Sequence, residues 1–67
     1  MSAVVHVKLQ RDDSSTRWQA KDTRTAVAFS SSFALDARDI IGLECEDGSY
    51  VHFRTGQIQY VRVVVED

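Results

Sequence analysis

The sequence predicts a mainly β protein, a small antiparallel barrel or rolled sheet of about five or six short strands. Three observations predict it. Short segments alternate apolar and polar residues through most of the chain. Asp47-Gly48 stands between two such segments as a turn signal. Ile58 to Val65 is a β-prone run whose apolar phase changes midway. With 67 residues, 43% of them hydrophobic, the chain reads as one folded domain over residues 1–67 rather than a disordered segment.

The first strand runs from Ala3 to Gln10, with Val5, Val7 and Leu9 on one side and Val4, His6, Lys8 and Gln10 on the other. Arg11 to Ser15 is a polar turn, rich in side chains that bond to their own backbone. Thr16 to Asp22 follows as a strand, with Trp18 and Ala20 sharing a face. Asp22-Thr23-Arg24 reads as a turn, and Thr25 to Phe29 as a third strand with Val27 and Phe29 inward. Ser30 to Asp39 admits two readings. One is extended chain ending in at most one short helical turn near residues 36–39. The other is a short helix from a serine N-cap. A helix of under about ten residues is weak on its own, which favours the extended reading.

The hairpin from Ile40 to Arg54 organises the rest. A two-residue loop at Asp47-Gly48 would set apolar side chains opposite polar ones on both faces. A three-residue loop, Glu46-Asp47-Gly48 with Gly48 in the left-handed position, pairs Cys45 with Ser49, Leu43 with Val51 and Ile41 with Phe53. Ile41, Leu43, Cys45, Val51 and Phe53 then share the buried face, and Glu44, Tyr50, His52 and Arg54 the other. A slip of one residue would turn the core outward, so burial selects the three-residue loop. In Ile58 to Val65, a bulge or bend near Tyr60-Val61 reconciles the two apolar phases. Strands that bend in this way suit a small barrel of SH3-like or Sm-like architecture.

Composition narrows the chemistry. A formal charge of −2 does not suggest a general binder of polyanions or anionic membranes. The single cysteine, Cys45, excludes an internal disulfide and fits a reducing, cytoplasmic setting. Met1 to His6 has no secretory pattern, and no apolar run approaches the roughly 20 residues of a membrane span. Cys45 faces the core in the chosen register, where a thiol is inert. His6, His52 and Glu44 lack metal-ligand spacing. The paired acids, such as Asp12-Asp13 and Glu66-Asp67, lie at turns or the terminus. No enzyme activity, metal or cofactor is expected.

Asp39-Ile40-Ile41-Gly42-Leu43-Glu44, followed by Gly48-Ser49-Tyr50-Val51, resembles the central strands of LytTR-type DNA-binding domains. Those domains are longer and more basic than this chain. Basic and aromatic residues also interleave on the predicted outer faces, a pattern used by binders of single-stranded nucleic acid. The expected function is a non-catalytic intracellular protein–protein interaction module. It would self-associate, with a dimer first, and would suit an accessory or modulatory factor. The candidate surface is Tyr50, His52 and Arg54 with Trp18, Tyr60 and Arg62. Binding of single-stranded nucleic acid through the same residues is the alternative.

Overall fold

The middle strand of the larger sheet is β1 (Ser2–Leu9), and its sequence explains why. Ala3, Val5 and Val7 are buried on one face, and Val4 is only 1% exposed on the other. Side chains of a central strand are sheltered by cross-strand neighbours on either side, so a strand apolar on both faces suits the middle of a sheet. The flanking strands are β2 (Thr16–Gln19) and β5 (Ile58–Glu66), both antiparallel to β1. Val4 lies between Gln19 and Val64 in that register. The computed structural model describes residues 2–36 and 38–66.

A second sheet is the hairpin of β3 (Ile40–Glu44) and β4 (Tyr50–Arg54). Its register is the predicted one, with Leu43 opposite Val51 and Ile41 opposite Phe53. Cys45 N–H donates to Ser49 O at 2.8 Å, and Gly48 has φ +89°. The loop is therefore Glu46-Asp47-Gly48, closed by a residue in the left-handed region that glycine enters without strain. Asp47 Oδ1 accepts from the Ser49 hydroxyl at 2.6 Å and from its N–H at 2.9 Å. These two bonds hold the Asp47 carboxyl below its ordinary value.

The two sheets meet at two corners. Ala20 and Cys45 form a bridge, flanked by Lys21 N–H to Glu44 O at 2.9 Å and Glu46 N–H to Gln19 O at 3.0 Å. At the other corner, a 3-10 turn over Thr55–Gln57 leads β4 into β5. There Thr55 N–H reaches Asp39 O, and Gln10 N–H reaches Gln57 O, each at 2.9 Å. The described residues are mainly β, with two antiparallel sheets and five strands. Among the described residues the ladders do not close into a barrel.

β5 changes its apolar phase through a bulge. Lys8 pairs with Tyr60 while the next residue, Leu9, pairs with Ile58, which leaves Gln59 as the extra residue. The irregularity lies one residue before the predicted Tyr60-Val61. It turns both Ile58 and the Val61/Val63 pair toward the core.

The segment from Thr23 overturns the predicted third strand and the limit of one helical turn. It is a helix, α1 (Thr23–Ala34). The predicted turn at Asp22-Thr23-Arg24 is its beginning. Asp22 caps it, with Oδ1 accepting from Thr25 N–H at 2.7 Å. Val27 and Phe29 decide between the alternatives. Two residues apart, they would share one face of a strand but lie on opposite sides of a helix. Val27 is 50% exposed and Phe29 only 3%. Ala26, Phe29 and Phe33, at spacings of three and four, form the face turned to the sheets. The C-cap Leu35 donates to Ser31 O at 2.9 Å, and Asp36 follows with φ +50°. Aspartate is one of the few residues that enters this region readily. The helix thus ends where the short helical turn at 36–39 was expected to begin. Ala37, inside that expected turn, lies outside the described residues. No helix among the described residues is long and apolar enough to cross a membrane.

The cap makes a prediction about acid stability. Thr25, through its backbone N–H first and its side chain second, holds the Asp22 carboxyl below its ordinary value of 3.8. A lowered folded-state value stabilises the fold above pH 3.8, and this contribution is lost as pH falls through the folded value. Asparagine caps as well as aspartate but carries no charge to lose. Wild type should therefore melt above Asp22→Asn at pH 7, and the gap should close as pH falls below the ordinary carboxylate range through the lowered folded value. A gap independent of pH in thermal melts would remove the charge from the account of the cap.

Candidate protein-interaction surface

The outer face of the hairpin carries Tyr50, His52 and Arg54 on β4, opposite Glu44, Gly42 and Ile40 on β3. Strand alternation puts them there, because Val51 and Phe53 are drawn to the core. The Tyr50 and His52 rings are stacked, with centroids 5.6 Å apart and planes 20° from parallel. They lie over Gly42. A Cβ at that position would sit 3.1 Å from His52 Cδ2 and 3.3 Å from Tyr50 Cε1. Gly42 therefore provides the space in which the stack rests, and any side chain there would push the rings outward. Tyr50 remains 60% exposed and Ile40 53%. The result is a pre-stacked aromatic strip beside an exposed aliphatic residue and a guanidinium.

Tyr60 and Arg62 stand on the other sheet. Arg62 is opposite His6, and His6 is opposite Arg17, so three nitrogen-bearing side chains form a row across β5, β1 and β2. Tyr60 is opposite Lys8 on the same face. The row is partly compensated. Arg17 pairs with Glu66 at 3.1 Å, and Lys8 Nζ donates to the Asp12 carbonyl at 2.7 Å.

Trp18 belongs to neither surface. It is opposite Val5, on the core side of β2, and meets Phe53 edge-on with centroids 6.0 Å apart. Phe29 packs against the same Phe53 ring at 5.7 Å. The indole Nε1 is buried with no hydrogen-bond partner among the described residues. The six predicted surface residues thus fall into three groups. Tyr50, His52 and Arg54 share a face, Tyr60 and Arg62 share another, and Trp18 joins the core. Alternation with Arg17 and Gln19 puts Trp18 on the face of the buried Ala20, and the Phe53 ring meets it there.

Cys45 is buried, as its register implies, with Sγ 3.9 Å from the Leu43 carbonyl. His6 and His52 lie in different sheets. Among the described residues no group of three His, Cys, Asp or Glu side chains is arranged to hold a metal ion.

One feature of this side of the molecule depends on the helix and escaped the sequence for that reason. Between α1 and β3 runs an open groove of ≈ 430 Å³, lined by Arg24, Ala28 and Ser32 of the helix, by Arg38, and by Ile40 and Tyr50 of the hairpin. The signal that could have revealed it is the Asp22 cap followed by apolar residues at 26, 29 and 33. No protein-family model, no curated protein and no solved structure matches the chain.

Proposed function

We propose that this protein is a non-catalytic interaction module that binds protein through the outer face of its hairpin, with a second copy of itself as the first partner. The observation that carries the reading is the exposed Tyr50–His52 stack seated over Gly42, flanked by Ile40 and Arg54. Tyrosine and arginine are the side chains most often responsible for binding energy at interfaces. Stacking fixes these rings before contact, so little side-chain freedom is lost on binding. The small size of the domain adds a motive for association, since a partner enlarges a modest core. We also propose that the two sheets are halves of one rolled, barrel-like sheet of the SH3-like or Sm-like class. The Ala20–Cys45 bridge at one corner and the 3-10 turn at the other support that grouping.

Native mass spectrometry at low salt tests the reading. The expected species is a dimer, and Tyr50→Ala with Arg54→Ala should return it to monomer with the fold intact by circular dichroism. A wild-type chain that stays monomeric at high concentration would remove self-association. A second reading rests on the Arg17–His6–Arg62 row with Tyr60 beside it, which is a cationic and aromatic face suited to single-stranded nucleic acid. Oligonucleotide retained in the same spectrum, and shed steeply as salt rises, would favour it.

A further inference from the structure

The edge of β3 that faces α1 is a place where a strand can be added. The hydrogen-bond phase of the hairpin defines it. Cys45 N–H bonds to Ser49 O and Thr55 N–H to Asp39 O, so odd-numbered residues of β3 turn their backbone groups toward β4. Ile40, Gly42 and Glu44 turn theirs the other way. Glu44 fits this phase, since its carbonyl accepts from Lys21 N–H where β2 ends beside it. Ile40 and Gly42 have no backbone partner on that edge among the described residues. β2 has already turned away into α1, and the groove opens alongside the two residues left unpaired.

We propose that this groove binds an extended acidic peptide, which pairs with β3 at Gly42 and Ile40 and lies between α1 and Tyr50. The inference rests on the reading of the hairpin as a protein-binding element and names its ligand class. Strand addition supplies affinity through main-chain bonds, while side chains on alternate residues supply specificity. Charge selects the ligand. Arg24, in the first turn of α1, and Arg38, just before β3, both line the groove and make no ion pair among the described residues. The acid on the groove wall, Glu44, is already 3.6 Å from Lys21 Nζ. Five residues of β3 span about 13 Å, so a peptide of about five residues can set a carboxylate near each arginine. Its apolar residues would meet Ala28 on one side and Ile40 and Tyr50 on the other.

The test uses the full chain and a labelled peptide, acetyl-Glu-Val-Thr-Val-Glu-amide, with a counterpart carrying Lys in place of Glu. Fluorescence polarisation should show the acidic peptide binding on the order of tenfold tighter. Backbone N-methylation of the peptide at alternate residues, tried in both phases, should abolish binding in one phase. Amide resonances of Ile40 and Gly42 should move on titration. Ile40→Pro removes one edge donor without touching the β4 ladder, and should weaken binding on the order of tenfold. Should that variant fail to fold, Arg24→Glu with Arg38→Glu, both on the surface, should reverse the preference toward the Lys peptide. No binding, N-methylation without effect in either phase, or shifts confined to other residues would overturn the proposal. A dimer dispersed by Tyr50→Ala in a chain that ignores the peptide would leave the interaction module and remove the groove. A monomer that binds the peptide would do the reverse for self-association.

Discussion

Replacing Leu43 by Ala should remove a large share of the protein's stability and lower its melting temperature steeply. Leu43 is fully buried, at 0% exposure, on the inward face of β3 and opposite Val51. Truncating such a leucine costs about 2–5 kcal/mol, because the cavity left behind collapses only partly. A chain of this length has a total stability of about 3–10 kcal/mol on the usual per-residue scale. The substitution therefore removes a large share of what holds the fold. Each kcal/mol moves the midpoint of a domain this small by about 4–8 °C, so the Tm should fall by on the order of 20 °C. Thermal and urea melts followed by circular dichroism would measure it. Leu35→Ala is the control. Leu35 is 77% exposed at the end of α1, and its loss should be nearly neutral. Comparable destabilisation by the two substitutions would mean that Leu43 is not where the core is anchored.

Phe29→Ala should detach α1 before it unfolds the sheets. The helix, Thr-Arg-Thr-Ala-Val-Ala-Phe-Ser-Ser-Ser-Phe-Ala, contains three serines and three β-branched residues, none of them strong helix formers. Its stability comes from packing, and a helix of 12 residues in water is marginal even with a favourable sequence. Phe29 supplies the largest buried contact, against the Phe53 ring. Losing it should cost about 3–5 kcal/mol. Hydrogen exchange should show amides of residues 26–34 losing protection while those of β1 and β5 keep most of theirs. Ellipticity at 222 nm should fall in proportion. Equal loss of protection in every element would show that helix and sheets unfold as one cooperative unit, against the argument from weak propensity.

The parts of this fold legible in the sequence are those where local chemistry and burial agree. Asp47-Gly48 marks a turn, and the apolar set Ile41, Leu43, Cys45, Val51 and Phe53 has only one register that buries it. The phase change in β5 required an extra residue, and Gln59 supplies it. The helix was not legible because two signals conflicted. Thr25, Val27 and Phe29 alternate like a strand, while Ala26, Phe29 and Phe33 fit a helix equally well. Phe29 belongs to both patterns, so only the fate of Val27 separates them. The packing of Phe29 on Phe53, residues far apart in the chain, settled it for the helix. The candidate site shows the same division. Tyr50, His52 and Arg54 were placed by alternation alone, and their neighbourhood followed. The alternation that set Trp18 on the face of Ala20 already pointed it inward, and the groove beside β3 depends on the helix, whose cap and apolar spacing competed with a strand pattern.

Trp18 gives the molecule a built-in optical reporter. It is the one tryptophan in the chain, so intrinsic fluorescence excited at the indole band comes from a single known place. That place is the seam where β2 meets the ring of Phe53 on β4, and the indole Nε1 there is buried with no protein acceptor among the described residues. An indole so shielded emits at shorter wavelength than one in water. Its colour therefore reports whether the two sheets are docked. Read beside the far-ultraviolet signal, emission from this one side chain separates a protein that has only lost its helix from one whose sheets have come apart.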